Sequence, residues 1–264
     1  MTKAARKPRM LVEERRRRIL EILEAQERVT VEELVGRFGV SAVTIRGDLD
    51  ALAEAGAVIR SHGGALKRID APEDVPITVK ETLHHAEKVR IGHAAAHMIK
   101  DGETIMFDSG TTTMEIARQI KFLKVKALNV ITNALNVAME LTSLPHVRLI
   151  MIGGILRQMS YSLSGPPAEQ ALKGLYADRL FLGVDGLDPE IGLMTPDVLE
   201  AQLNAVMIQV SREVVVVADS TKFQRRSLSV IARVEAVHKV ITDSGVTPEI
   251  VAALRARNVE VVIV

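Results

Sequence analysis

Residues 31–66 read VEELVGRFGVSAVTIRGDLDALAEAGAVIRSHGGAL, and this stretch decides the fold of the first part of the chain. Val31, Leu34 and Val35 recur at helical spacing; Val43, Leu49 and Leu52 do so again after a break at Phe38-Gly39-Val40-Ser41. Gly39 suits the positive φ that ends a helix, and the Ser41 hydroxyl suits the orphan amides that begin one. The second helix then opens with the small or hydroxyl-bearing residues Ser41, Ala42 and Thr44, followed by Arg46. A helix end of that kind enters a major groove without bulky side chains blocking the approach. Beyond Gly56, residues 57–66 read as a strand and a glycine turn, which is a wing. The pattern predicts a winged helix-turn-helix, with Ser41, Ala42, Thr44 and Arg46 facing double-stranded DNA and Arg60 and His62 on the wing.

The charge distribution agrees with a nucleic-acid partner at one end only. Residues 1–68 hold 14 Lys/Arg and 10 Asp/Glu, net +4, against 20 and 23, net −3, in the rest of the 264-residue chain. Lys3, Arg6, Lys7 and Arg9 form either a phosphate-contacting arm or a solvated tail. Residues 13–26 are predicted as a helix with Ile19, Ile22 and Leu23 as its core stripe. Arg15 to Arg18 run around that helix, so only some of them can face DNA. Cysteine is absent, which excludes a disulfide scaffold, a thiol nucleophile and Cys-ligated zinc. No apolar run approaches the roughly 18 residues of a spanning helix. No apolar segment follows the basic start, so no secretory signal is read there and a cytoplasmic protein is expected. Aromatics are 3% of residues and Trp is absent, which disfavours a base-stacking single-strand binder.

Residues 67–80, KRIDAPEDVPITVK, carry two prolines and little periodicity. They are read as a linker between a 1–66 DNA-binding domain and an 81–264 sensor and oligomerisation domain. In the latter, candidate strands at 104–107, 128–131, 147–152, 179–184, 214–218, 239–241 and 259–264 are separated by helical stretches. The helices are placed at 114–120, 135–141, 168–175, 196–210 and 248–256. Val/Ile-rich strands alternating with helices predict an α/β fold with a largely parallel sheet covered on both faces. Ligands of such sheets bind beyond the carboxyl ends of the strands.

The strand at 104–107 runs into Asp108-Ser109-Gly110-Thr111-Thr112-Thr113 and then a helix. Free amides, the positive dipole end and hydroxyl donors make such a loop an anion site, with a phosphorylated small molecule as its natural occupant. Capping by the threonines alone is the simpler alternative. The Asp-Ser-Gly signature of aspartic proteases fails on context, because those enzymes need paired carboxylates in a β-rich fold. Other polar loops follow strands too: Thr132-Asn133, Gly153-Gly154 with Arg157 beyond, Asp185-Gly186, and Asp219-Ser220-Thr221-Lys222. In an open parallel sheet these ends converge on one crevice. Arg157 and Lys222 are candidates to pair with phosphate, and Asp108, Asn133 and Asp185 to accept from sugar hydroxyls.

Two further groupings carry weaker signals. His93 and His97 have the i, i+4 spacing of a two-ligand metal site, with His84 and His85 nearby, yet no motif places an acidic third ligand. No metal is expected. Glu200 and Asn204 share a helix face, where they either reach the crevice or pair with each other.

With these residues in place, the chain resembles the DeoR family of bacterial transcriptional regulators over almost its whole length. The match is carried by VSAVTIRGDLDALAEAGAVIRSHGGAL, FDSGTTTMEIA, VITN, GGILR, DRLFLGVDGL, EAQLNAVM and ADSTKF. The resemblance implies an N-terminal winged helix-turn-helix and a C-terminal sensor like ribose-5-phosphate isomerase. It implies a repressor of a sugar-catabolic operon that a phosphorylated sugar releases, without cofactor or catalytic residues. Around VTIRGDL, DSGTTTMEIAR, FLGVDGLD and EAQLN the texture is most like repressors of N-acetylgalactosamine and related amino-sugar utilisation. Many members carry a second arginine where this chain has Gly47. A single winged module buries little surface, so a homodimer or homotetramer matching repeated half-sites is expected, with the sensor's apolar helices and the strand ending at Val264 as interface elements. The alternative is a sugar-phosphate isomerase or deaminase with an appended DNA-binding domain, for which Asp108 or Asp185 would serve as general base. An activator rather than a repressor fits the same motifs.

Overall fold

The computed structural model describes residues 10–54, 57–61, 63–67 and 74–264. They divide into two compact units at Leu83/His84. The first unit contains α1 (Val12–Gln26), β1 (Arg28–Thr30), α2 (Val31–Phe38), α3 (Ala42–Glu54), β2 (Val58–Ser61), β3 (Gly64–Lys67) and α4 (Ile77–Lys80). Thr30 starts α2 with a reciprocal cap: its hydroxyl accepts from the Glu33 amide while the Glu33 carboxylate accepts from the Thr30 amide. Gly39 ends α2 at φ 64°, its amide donating to the Val35 carbonyl. The strands form an antiparallel sheet in the order β1-β3-β2. Ile19, Leu20, Leu23, Val31, Leu34, Ile45, Leu49 and Leu52 pack together beneath it.

Three features of this unit differ from the sequence reading. Val43, expected in the apolar stripe of the second helix, is 76% exposed, and Ile45 is buried in its place. At roughly 100° per residue, Ile45, Leu49 and Leu52 share one side of α3 and Val43 lies opposite. Residues 67–80 are not all connector, since Ile77–Lys80 is a helical turn whose Val79 packs in the first unit's core. Pro76, read as a breaker, instead precedes that turn, where its fixed φ is compatible with a helix start. The strand β1 went unread because three residues give no alternation to see.

The second unit runs α5 (His85–Ala96), β4 (Thr104–Phe107), α6 (Thr111–Gln119), β5 (Leu128–Thr132), α7 (Leu135–Leu141), β6 (Val147–Met151), β7 (Ile155–Arg157), β8 (Ser162–Ser164) and α8 (Pro166–Leu172). It continues through β9 (Ala177–Leu182), β10 (Gly186–Asp188), β11 (Gly192–Thr195), α9 (Val198–Gln209), β12 (Ser211–Val217), β13 (Ser229–Ala232), β14 (Lys239–Thr242), α10 (Pro248–Arg255) and β15 (Glu260–Ile263). Seven parallel strands lie in the order β15-β14-β12-β9-β4-β5-β6, and they are the seven strands expected from the sequence. Side chains alternate between two cores. Met106, Leu180, Leu182, Val214 and Val216 face one. Ile105, Phe107, Phe181, Val215 and Val217 face the other, where Phe107 and Phe181 stack at 5.6 Å between ring centroids. The antiparallel pieces β7-β8 and β10-β11-β13 were not anticipated.

Candidate functional site

In the first unit, α3 opens with a closed cap. The Ser41 hydroxyl accepts from the Thr44 amide at 3.1 Å and pairs with the Thr44 hydroxyl at 2.9 Å. Ser41 and Arg46 are exposed, and Ala42 and Thr44 half-buried. Arg46 has no hydrogen bond or ion pair among the described residues. Behind this tip, Asp48 is 3% exposed and receives two guanidinium groups. Arg15 bonds it through Nε at 2.5 Å and Nη2 at 3.2 Å, and Arg16 through Nε at 3.2 Å. Arg17 and Arg18 pair with Glu21 and Glu14 on their own helix. Arg60 bridges the Asp50 carboxylate, at 2.6 Å, and the Gly64 carbonyl, and so ties the wing to α3. His62, together with Lys3, Arg6, Lys7 and Arg9, lies outside the described residues.

In the second unit the chain runs outward from β4 through β5 to β6, then returns to place β9 on the other side of β4. The boundary between β4 and β9 is therefore a topological switch point, where open parallel sheets bind ligands. Asp108 follows β4 and Gly183 follows β9. The Asp108 carboxylate clasps the two together, Oδ2 accepting from the Gly183 amide at 2.9 Å. Its Oδ1 accepts from the Gly110 amide at 3.0 Å and the Thr113 hydroxyl at 2.8 Å. Burial pushes its pKa up to about 7, with Glu200 adding to the rise, although the Gly110, Thr113 and Gly183 donors favour the charged form.

Thr113 is thus occupied, while Ser109, Thr111 and Thr112 are not. Among the described residues, neither their hydroxyls nor their amides meet a hydrogen-bond partner. These donors surround the start of α6. The rest of the crevice is a connected polar network. Glu200, 7% exposed, accepts from the Ser160 and Ser162 hydroxyls. Thr195 Oγ1 lies 3.5 Å from Glu200 and 3.4 Å from Asp185. Arg157 reaches Asp197 at 3.1 Å and Glu200 at 3.6 Å, so two carboxylates already balance its charge. Glu200 pairs with these serines rather than with Asn204. Asn133 donates to the Leu163 carbonyl at 3.1 Å, and its buried Oδ1 has no partner.

The remaining candidates are placed differently. Thr132 accepts from the Ala134 amide and serves its own turn. Gly154 has φ 157°, and a Cβ there would stand 2.6 Å from the Ser164 carbonyl, so it lets β8 approach. Gly153 is exposed. Lys222 belongs with Asp219 at the end of β12, two strands from β4. Burial works to raise the Asp219 pKa, but Lys222, the Thr221 hydroxyl, Lys88 and His84 outweigh it and hold the carboxyl below its usual range. Lys88, 3% exposed, was missed by the sequence reading, because a lone lysine on an amphipathic helix reads as surface. Glu200 was seen, but its serine partners lie on the unread β7-β8 hairpin. The His93 and His97 rings pack at 4.3 Å, and among the described residues no group of three His, Asp or Glu side chains is arranged to hold a metal. Nor is any described helix long and apolar enough to cross a membrane.

Comparison with known proteins agrees with both units. A DeoR-like helix-turn-helix domain matches residues 15–68, and a DeoR C terminal sensor domain matches residues 83–244. The chain is 40% identical over 95% of its length to a protein assigned as the aga operon transcriptional repressor of Escherichia coli O157:H7, covering 93% of that protein. It is 31% identical to the glycerol-3-phosphate regulon repressor of Escherichia coli K12, over 92% of this chain and 95% of that one. Among solved structures it is similar to ribose 5-phosphate isomerase A from Methanocaldococcus jannaschii, with TM-score 0.38 and 17% identity over 52% of this chain and 53% of that one. A helix-turn-helix followed by a sensor domain, matched along nearly the whole chain, makes this protein a member of the DeoR family of transcriptional regulators.

Proposed function

We propose that the chain is a repressor of a sugar-utilisation operon, released when a phosphorylated sugar, foremost an amino-sugar phosphate, binds the second unit. The observation that carries this reading is the unoccupied set of donors at the switch point: the amides and hydroxyls of Ser109, Thr111 and Thr112 at the start of α6. They would hold the phosphate, with Lys222 as the candidate counter-charge. Asp185 and the side-chain Oδ1 of Asn133 would accept from sugar hydroxyls. Asp108, Thr132, Gly153, Gly154 and Arg157 would shape the crevice, since the bonds of Asp108, Thr132 and Arg157 go to protein groups. The names of the relatives support the substrate class, one tied to the aga operon and another to the glycerol-3-phosphate regulon. On the first unit, Arg46 would contact base or phosphate beside Ser41, Ala42 and Thr44, while Arg60 braces the wing that carries His62. Binding would be as a homodimer or homotetramer.

Thermal unfolding against a panel of sugar phosphates and the matching free sugars tests the sensor. A ligand at ~100 times its Kd adds about 2.7 kcal/mol to the bound state. Stabilisation by the phosphate esters alone is the expected outcome, and equal stabilisation by free sugars overturns the phosphate site. The same mixtures assayed for product test turnover. For the DNA surface, Arg46→Ala should lower affinity for duplexes selected by the wild type by about 1–3 kcal/mol at fixed salt. Unchanged affinity removes Arg46 from the interface.

A further inference from the structure

We infer that Val43 reads DNA sequence, packing its side chain on the 5-methyl group of a thymine in the major groove. The inference rests on the first unit being a DNA reader and goes beyond it to a specificity-determining residue. Val43 is the second residue of α3 and 76% exposed, on the side opposite the buried Ile45, Leu49 and Leu52. The hydroxyls of Ser41 and Thr44, on either side, are bonded to each other and to the helix start, which diminishes what they can offer a base edge. The side chains left facing outward at this end are Val43 and Arg46, with Gly47 leaving open space beside them.

An exposed valine is a poor choice for a helix start that faces only water. It is β-branched, it offers no cap, and it gains nothing from the helix dipole. The contrast with α2 is direct, for that helix carries Glu32 and Glu33 in its first turn whereas α3 carries no acid there. An acid at this end would repel phosphates. An apolar group instead matches the one apolar feature of the major-groove edges, the thymine methyl.

The test uses the full-length protein and a randomised duplex pool. Wild-type protein should select a motif with a fixed A·T pair, and replacing that thymine by uracil should weaken binding about fourfold, the factor that about 0.8 kcal/mol for one buried methyl-sized group supplies. Val43→Ser should bind thymine and uracil duplexes alike and lose the preference at that pair, with its thermal unfolding unchanged. Uracil tolerated at every selected position, or discrimination retained in Val43→Ser, overturns the inference. A wild type that selects no sequence at all overturns the DNA-reading assignment beneath it.

Discussion

The two helix starts that matter, α3 and α6, are written in nearly the same residues, Ser-Ala-Val-Thr and Ser-Gly-Thr-Thr, yet they end up open in opposite ways. At α3 the hydroxyls close on each other and the outward face is left to Val43 and Arg46. At α6 the capping is done from outside by Asp108, which takes up Gly110 and Thr113 and leaves Ser109, Thr111 and Thr112 unsatisfied. Each start is backed by a buried aspartate, but the aspartates are held differently. Asp48 is neutralised by Arg15 and Arg16, whereas Asp108 meets only neutral donors. A small, hydroxyl-rich helix start therefore does not itself define a site; the partner that does the capping determines what remains for a ligand.

The largest expected effect tests the anchor of α3. Asp48→Ala leaves Arg15, 4% exposed, as a buried charge without its partner. Losing one partner of such a pair costs about 3–5 kcal/mol. The unfolding transition of the first unit should fall steeply and DNA binding should go with it, while ligand stabilisation of the second unit persists. A transition within about 1 kcal/mol of wild type would mean the arginines are not what fixes this helix.

The anchor of α6 predicts a pH dependence. The folded pKa of Asp108, about 7, stands above its unfolded value of 3.8. Between the two, the native state holds a proton that the unfolded chain has released, so stability falls as pH rises, by about 1.4 kcal/mol per unit from this group. The slope should be present from about pH 4 to 7, flatten above, and be missing from Asp108→Asn. Denaturant titration of the second unit across that range measures it.

How these two starts differ could be read from the sequence only in part. Short Val/Ile-rich runs set between helical stretches exposed all seven strands of the parallel sheet, and the loops at their carboxyl ends followed from them. The partners were hidden, because they come from distant sequence. Gly183 bonds Asp108 across 75 positions, Asp48 meets Arg15 across 33, and Ser160 meets Glu200 across 40. Arg157 and Arg60 looked available for anions because a sequence does not show which carboxylate a long cation will reach. Short antiparallel pieces such as β7-β8, three residues each, lie below the length at which alternation can be seen.

A smaller effect separates ligand response from DNA binding. Thr111 is half-buried at the first position of α6, and Thr111→Glu places a carboxylate where the phosphate is proposed to sit. Sugar phosphate should then no longer weaken DNA binding, removing a coupling of about 1–3 kcal/mol, or roughly 5–150-fold, while affinity without ligand stays at the wild-type level. Release that survives the substitution would move the effector away from this helix start.

The smallest effect sets the two starts against each other through one methyl group. Gly47 lies inside α3 and is exposed, and a Cβ added there would find nothing within 4 Å, so alanine meets no neighbour. Gly47→Ala should stabilise the first unit by about 0.5–1 kcal/mol by lowering the entropy lost on forming the helix. Gly110 is the residue that precedes α6, and a Cβ there meets Asp108 Oδ1 and Thr113 Oγ1 at 3.1 Å. Alanine is also a poor residue at a helix cap, so Gly110→Ala should destabilise the second unit. Opposite signs in the two unfolding transitions are the expected result, because one start is open on its outer face and the other is filled by its own aspartate. If both substitutions stabilise, Asp108 does not pack against its loop as tightly as these distances require.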